Sequence, residues 1–180
     1  MGFRQGAVLF ATCFFLGVEF VNFNIDQRLL FQPLTQKSLD DAYFYYATFF
    51  NAPIAVRALL HSVMGVGILA LIAKLHQWDE SAVFFDGTSL GLFMASFIVY
   101  MSVVVPGLRT VVTPNELETE EIRQEAVTVL AAGNTLIVFC LVGILALQGG
   151  QEWARRSEAQ LLAAVEAQEK EASLDEKKKQ

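Results

Sequence analysis

Glu19, Arg57 and His61 are the side chains best suited to chemistry here, because each lies in or beside a long stretch otherwise free of charge. An ionisable group among apolar residues is costly until something satisfies it, so each marks a place where an ion pair or strong hydrogen bond is made. Arg57 and His61 are four residues apart, on one face of a helix. On a helical rise of about 1.5 Å per residue, all three fall within about 5–12 Å of the same edge of an apolar layer and can meet. Two readings stay open. They are structural, with Glu19 and Arg57 pairing two helices or Arg57 reaching out to the polar boundary; or they offer polar partners to exposed groups in another protein's spans. Asn22, Asn24 and Asn134 add amides, whose contacts across helices in lipid are worth roughly 0.6–2 kcal/mol each.

Other chemistries lack their parts. His61 and His76 are the only histidines, and Cys13 and Cys140 fall inside apolar stretches, where they pack as small apolar side chains. No metal-ligand set results, and neither metal nor cofactor is expected. There is no Gly-rich phosphate loop, and the acidic cluster before the last apolar stretch has no partner base. The expectation is a protein that is not an enzyme. The net charge of -6 comes from acidic loops, and no basic patch points to nucleic acid.

The elements that position these groups follow from where charge is missing. Residues 5–18, 58–73, 87–108 and 126–151 contain no Asp, Glu, Lys or Arg. A bilayer core of about 30 Å takes about 20 mostly apolar residues as helix, and backbone polar groups in hydrocarbon rule out open irregular structure. The expected fold is all-α: a polytopic membrane protein with four transmembrane helices near 5–24, 53–74, 88–107 and 126–148. These form one membrane domain over 1–150, with a helical tail over 151–180. The first span is expected to stay uncleaved, since Glu19-Phe20-Val21-Asn22 is a poor signal-peptidase site.

Between the first two spans, Ser38 with Asp41 looks like a capping box. Leu39, Ala42, Tyr43, Tyr46, Ala47 and Phe50 then recur at helical spacing, predicting a short interfacial helix that ends at Asn51-Ala52-Pro53. Pro106-Gly107 is expected to close the third span, and Thr113-Pro114-Asn115-Glu116 to start the next helix. Gly87-x-x-x-Gly91, Gly65 and Gly67 are candidate points of close helix approach. His76, Trp78, Asp79 and Glu80 sit in a short connector, and Trp153 with Arg155-Arg156 reads as an interfacial anchor.

Four spans put both termini on one side. The membrane-proximal basic residues tie, and the tail lysines favour cytosolic termini. Lys177 and Lys178, at the fourth- and third-last positions, look like the dilysine address that returns membrane proteins to the endoplasmic reticulum.

Several strings resemble a known family. Leu29-Leu30-Phe31-Gln32-Pro33 with Thr35, the Asp41-Ala42 and Tyr45-Tyr46 region, Ser89-Leu90-Gly91-Leu92, Asn134 in an Ala-rich start to the fourth span, and the Glu/Ala-rich tail carry it. Over residues 17–156 the chain resembles the fungal endoplasmic-reticulum packaging chaperones for amino-acid permeases. The resemblance implies a four-span segment that shields spans of newly made permeases from aggregation, and a cytosolic tail that presents these clients to vesicle-coat components. Glu19, Asn22, Arg57, His61 and Asn134 are then candidate client-binding or interhelical contacts, and Lys177 and Lys178 the retrieval signal. The alternative is a non-catalytic regulatory or scaffold subunit of a membrane enzyme or transporter complex; a small transporter is a third class.

Overall fold

The computed structural model describes residues 2–76 and 80–178, the side chains of 80–82 and 171–178 excepted. Trp78 and Asp79, and the side chains of Lys177 and Lys178, therefore lie outside the described residues. The chain is all-α, in the order α1 (Phe3–Phe31), α2 (Gln36–Phe50), α3 (Ile54–Leu75), α4 (Glu80–Val99), a π-helical turn (Tyr100–Val104), α5 (Val105–Val112) and α6 (Glu120–Lys178). Four segments are long and apolar enough to cross a membrane: Phe3–Phe31, Ile54–Leu75, Val83–Val112 and Glu120–Lys170.

Both long outer helices bury a stripe with the 3–4 spacing of a coiled-coil seam. On α1 it runs Gln5, Val8, Thr12, Glu19, Asn22, Asp26 and Leu29. On α6 it runs Val127, Leu130, Asn134, Ile137, Leu141, Ile144, Gln148 and Gln151. A 3.5-residue repeat keeps one face turned toward a neighbour along the whole bundle. The opposite faces stay apolar yet exposed, with Phe10, Phe20, Val129, Leu136, Phe139 and Val142 all pointing outward. An apolar outer surface around a packed seam is what hydrocarbon solvent selects.

α1 packs against α3 and α6, and α4 packs against the same two, so the four spans form a ring in which every neighbour is antiparallel. We call the end holding the N-terminus and the α3–α4 connection the near end, and the end holding α2 and the 113–119 connection the far end. At the near end, the buried Lys74 Nζ lies 2.7 Å from Asp86 Oδ1 and donates to Gln148 Oε1 at 2.6 Å and Gln151 Oε1 at 2.9 Å. The two glutamines return Nε2 donors to Asp86 at 3.1 and 3.0 Å, and Gln148 also donates to Ser89 Oγ. Arg4 adds a hydrogen bond to the Ala73 carbonyl. α3 approaches its neighbours most closely at Gly67, where a Cβ would fall 2.7 Å from Phe93 Cζ and 3.1 Å from Ala11 Cβ.

Several boundaries depart from the sequence reading. α1 continues through Asp26 to Phe31, because Asp26 and Arg28 find partners beyond the apolar stretch. α2 starts earlier than Ser38: Thr35 caps it, its Oγ1 accepting from Ser38 N while Ser38 Oγ accepts from Thr35 N, so the box is Thr35/Ser38 and not Ser38/Asp41. Pro106 does not close the third span. It stands at the start of α5, directly after the π-helical turn, and the helix runs on to Val112. Residues 113–119 form no helix start; Asn115 N donates to Glu118 Oε2 and Glu118 N to the Asn115 carbonyl, and α6 begins at Glu120. Gly91 and Gly65 meet nothing within 4 Å, whereas Gly67, Gly107 and Gly133 sit at close approaches.

The near-end cluster predicts a specific stability pattern. Replacing Lys74 by Met strands the Asp86 carboxylate, at a cost of about 3–5 kcal/mol, and should lower the thermal unfolding temperature of the detergent-solubilised protein sharply. The double change Lys74→Met, Asp86→Leu should recover much of that loss.

Candidate functional site

Glu19, Asn22 and Asp26 lie at i, i+3 and i+7 on α1 and therefore share its buried face. Asp26, 1% exposed, is answered from two other helices. Tyr46 of α2 donates its hydroxyl to Oδ1, and Asn134 of α6 donates Nδ2 to Oδ2 at 3.0 Å. Asn134 Nδ2 also lies 3.0 Å from the Tyr46 hydroxyl, closing a triangle between α1, α2 and α6. Burial, and then the charge of Asp26, hold the Tyr46 hydroxyl far above the ordinary phenol range, so it remains a donor throughout the physiological pH range. One turn back along α1, Tyr45 donates to Asn22 Oδ1 at 2.8 Å, and Asn22 Nδ2 donates to Glu19 Oε2 at 3.0 Å.

Beside this network is a cavity. Its walls are mostly apolar, among them Phe15, Met64, Phe93, Phe97, Val104 and Leu141, with Glu19, Asn22, His61, Ser96, Tyr100 and Asn134 as the polar groups besides Tyr46. The cavity volume is about 80 Å³, within about 850 Å³ of space when its mouth is included. One turn of helix, about 10 Å across and about 5.4 Å tall, is several times larger than this, so the cavity is of side-chain size. Over residues 54–62 no side chain of α3 is buried, so the cavity is not sealed on that side. The π-helical turn contributes Tyr100 and Val104 to the opposite wall; such turns insert one residue and re-aim the side chains around them.

The site residues named from sequence are thus placed as follows. Glu19, Asn22, His61 and Asn134 line one cavity, although they come from three helices. Arg57 is exposed and outside that lining, and among the described residues no ion pair joins it to Glu19. Arg57 participates through its backbone instead, its carbonyl lying 2.6 Å from His61 Nδ1. The ring of His61 meets Tyr100 edge-on, with centroids 6.4 Å apart. Asn24 bonds only to carbonyls of its own helix. Sequence reasoning passed over Asp26, which lay beyond the first apolar stretch, and the Lys74–Asp86–Gln148–Gln151 cluster. The signal was present in both cases: Asp26 continues the spacing of Glu19 and Asn22, and Gln148 and Gln151 continue the α6 seam.

Compared with known proteins, residues 1–180 match the model of the SHR3 chaperone family, described as ER membrane protein SH3. The chain belongs to this family. It is similar to the secretory component protein psh3 of Schizosaccharomyces pombe, with 26% identity over 144 residues, covering 79% of this chain and 66% of that relative. This chain thus spans about two thirds of the length of the curated relative it matches. No solved structure matches. The membership agrees with the resemblance drawn from the residues, and it gives an SHR3-family protein of the endoplasmic-reticulum membrane whose fold is an all-α set of four candidate spans. Asp26, Tyr46 and Asn134 are the groups that tie α2 of this SHR3-family chain to its bundle.

Removing one member of the triangle should therefore be costly in proportion to what it strands. Tyr46→Phe leaves buried acceptors on Asp26 short of a donor and should destabilise by about 1–3 kcal/mol. Tyr45→Phe, which removes one part-buried bond to Asn22, should cost about 0.5–1.5 kcal/mol. Thermal unfolding of the two purified variants, side by side, checks the order.

Proposed function

We propose that the chain is a chaperone of the endoplasmic-reticulum membrane that binds transmembrane segments of newly made amino-acid permeases, prevents their aggregation and assists their packaging into coated vesicles. The observation that carries this reading is the match along the whole chain to a chaperone family, on a bundle whose apolar cavity one span leaves unsealed. Unassembled spans expose polar groups and packing faces that aggregate with one another. A bundle offering a part-open apolar wall with a few hydrogen-bonding groups can cover such faces reversibly. Glu19, Asn22, His61 and Asn134 are the contacts we assign to the client, with Arg57 beside the mouth.

In this reading both termini are cytosolic, the near end faces the cytosol and the far end, with α2, faces the lumen. α6 then carries its exposed part, residues 156 and 158–170, into the cytosol as the element that meets vesicle-coat components. Lys177 and Lys178 return the protein from later compartments. The permease clients follow from the resemblance over residues 17–156.

Deleting the gene in its host and following tagged permeases tests the client class. The expected result is retention and aggregation of amino-acid permeases in the endoplasmic reticulum, with other exported membrane proteins delivered normally. Normal delivery of permeases overturns the assignment.

A further inference from the structure

The polar groups around the cavity are not equally committed. Asn134 and Tyr46 are spent on Asp26. Asn22 is spent on Tyr45 and Glu19, and Ser96 donates to the Leu92 carbonyl in its own helix. Glu19 is different. It is 8% exposed, lines the cavity, and among the described residues receives one hydrogen bond, from Asn22 to Oε2. A carboxylate has about four acceptor positions, so Oε1 carries unused capacity into a space with apolar walls. No Lys or Arg belongs to the lining, and Asp26 adds a second carboxylate two turns along the same face. The cations at this end are engaged or outside: Arg28 with Asp41, Arg109 with Glu118, Arg123 with Glu120, and Lys37 and Arg57 exposed.

An acceptor with unused capacity at a mostly apolar cavity gains a hydrogen bond when a donor enters. The dimensions fix what can bring that donor. The enclosed space takes one long side chain, while a helix can lie only along the unsealed flank left by α3. We propose that the cavity receives a single donor-bearing side chain, of the lysine or glutamine class, projecting from a client's transmembrane segment, with Glu19 as its acceptor. This rests on the chaperone reading and sharpens it. The protein selects spans whose polar group has not yet found its own partner in the folded client, and such a span leaves once that partner arrives. His61 stands at the α3 wall with Nδ1 donating to the Arg57 carbonyl, which leaves Nε2 for a second contact to the same guest.

The test uses the purified full chain in lipid nanodiscs and three synthetic Leu-rich spans of about 20 residues, identical except for Lys, Gln or Leu at the central position. Association is read by energy transfer between labels on the chain and the peptide. The Lys and Gln spans should bind about 3- to 30-fold more tightly than the Leu span. That advantage should vanish in Glu19→Leu, and in Glu19→Gln it should fall for Lys while persisting for Gln. Equal binding of all three spans to the unaltered protein overturns the proposal without recourse to any variant. So does an unchanged preference in a folded Glu19→Leu protein, or displacement of every span alike by a photoreactive sterol that labels the cavity wall, which would make the occupant a lipid. If the spans bind alike yet gene deletion still strands permeases, the chaperone reading survives and the donor preference falls. If permeases are delivered normally while the Lys and Gln spans still bind preferentially, the donor preference stands and the client class falls.

Discussion

A carboxylate held among packed apolar helices must be given its donors by the protein, and this chain does so twice, at opposite ends of the bundle. Asp26 is answered by α2 and α6, Asp86 by α3 and α6. Neither acid is satisfied by its own helix, so each fixes the rotation and height of three elements at once. Between them the α6 seam is apolar, with Ile137, Leu141 and Ile144, and permits sliding, because such side chains pack acceptably in neighbouring registers. The polar clusters remove that freedom, the best-attested use of buried polar groups in helical assemblies. α6 belongs to both clusters, and the roughly 21 Å between Asn134 and Gln148 sets the spacing of the two anchor points.

The cavity is a by-product of how those anchors are distributed. α3 is held at the near end by Lys74 and pinched at Gly67, but neither acid reaches its far half. α2, which precedes it, is bound to α1 through Tyr45 and Tyr46, and the turn at Asn51-Ala52-Pro53 separates the two. The far half of α3 therefore has no polar tie to the bundle beyond what His61 offers. Closing it would require side chains larger than those at residues 54–62, or a third anchored group on that face.

Much of this was legible in the sequence. The four apolar segments, the helix between the first two and the family could all be read from charge-free stretches and helical spacing, since lipid solvent makes those signals strong. Residues that line one cavity could be named because an ionisable or amide group inside a span is rare enough to stand out. What was not legible depended on partners far along the chain. Asp26 looked like loop until Tyr46 and Asn134 stood beside it, and Lys74 and Asp86 looked like the rims of a connector until Gln148 and Gln151 were seen between them. Local rules also misplaced ends: Pro106 reads as a stop but is tolerated at the start of a turn, and the Ser38/Asp41 spacing fits a box whose true members are Thr35 and Ser38. Arg57, equally conspicuous in sequence, is exposed and stands outside the cavity lining.

α6 is a single helix of 59 residues, about 88 Å long at 1.5 Å per residue, and no break separates its packed part from its exposed part. Gln151 is the last buried residue among those whose side chains are described, some 40 Å of rod before Lys178. Such a rod has the mechanics of a pointer pivoted in a bearing. A tilt of about 10° in the packed section, too small to disturb most side-chain contacts, carries the tip sideways by about 7 Å by simple geometry. Small adjustments among the spans are thereby written at molecular scale where the chain ends.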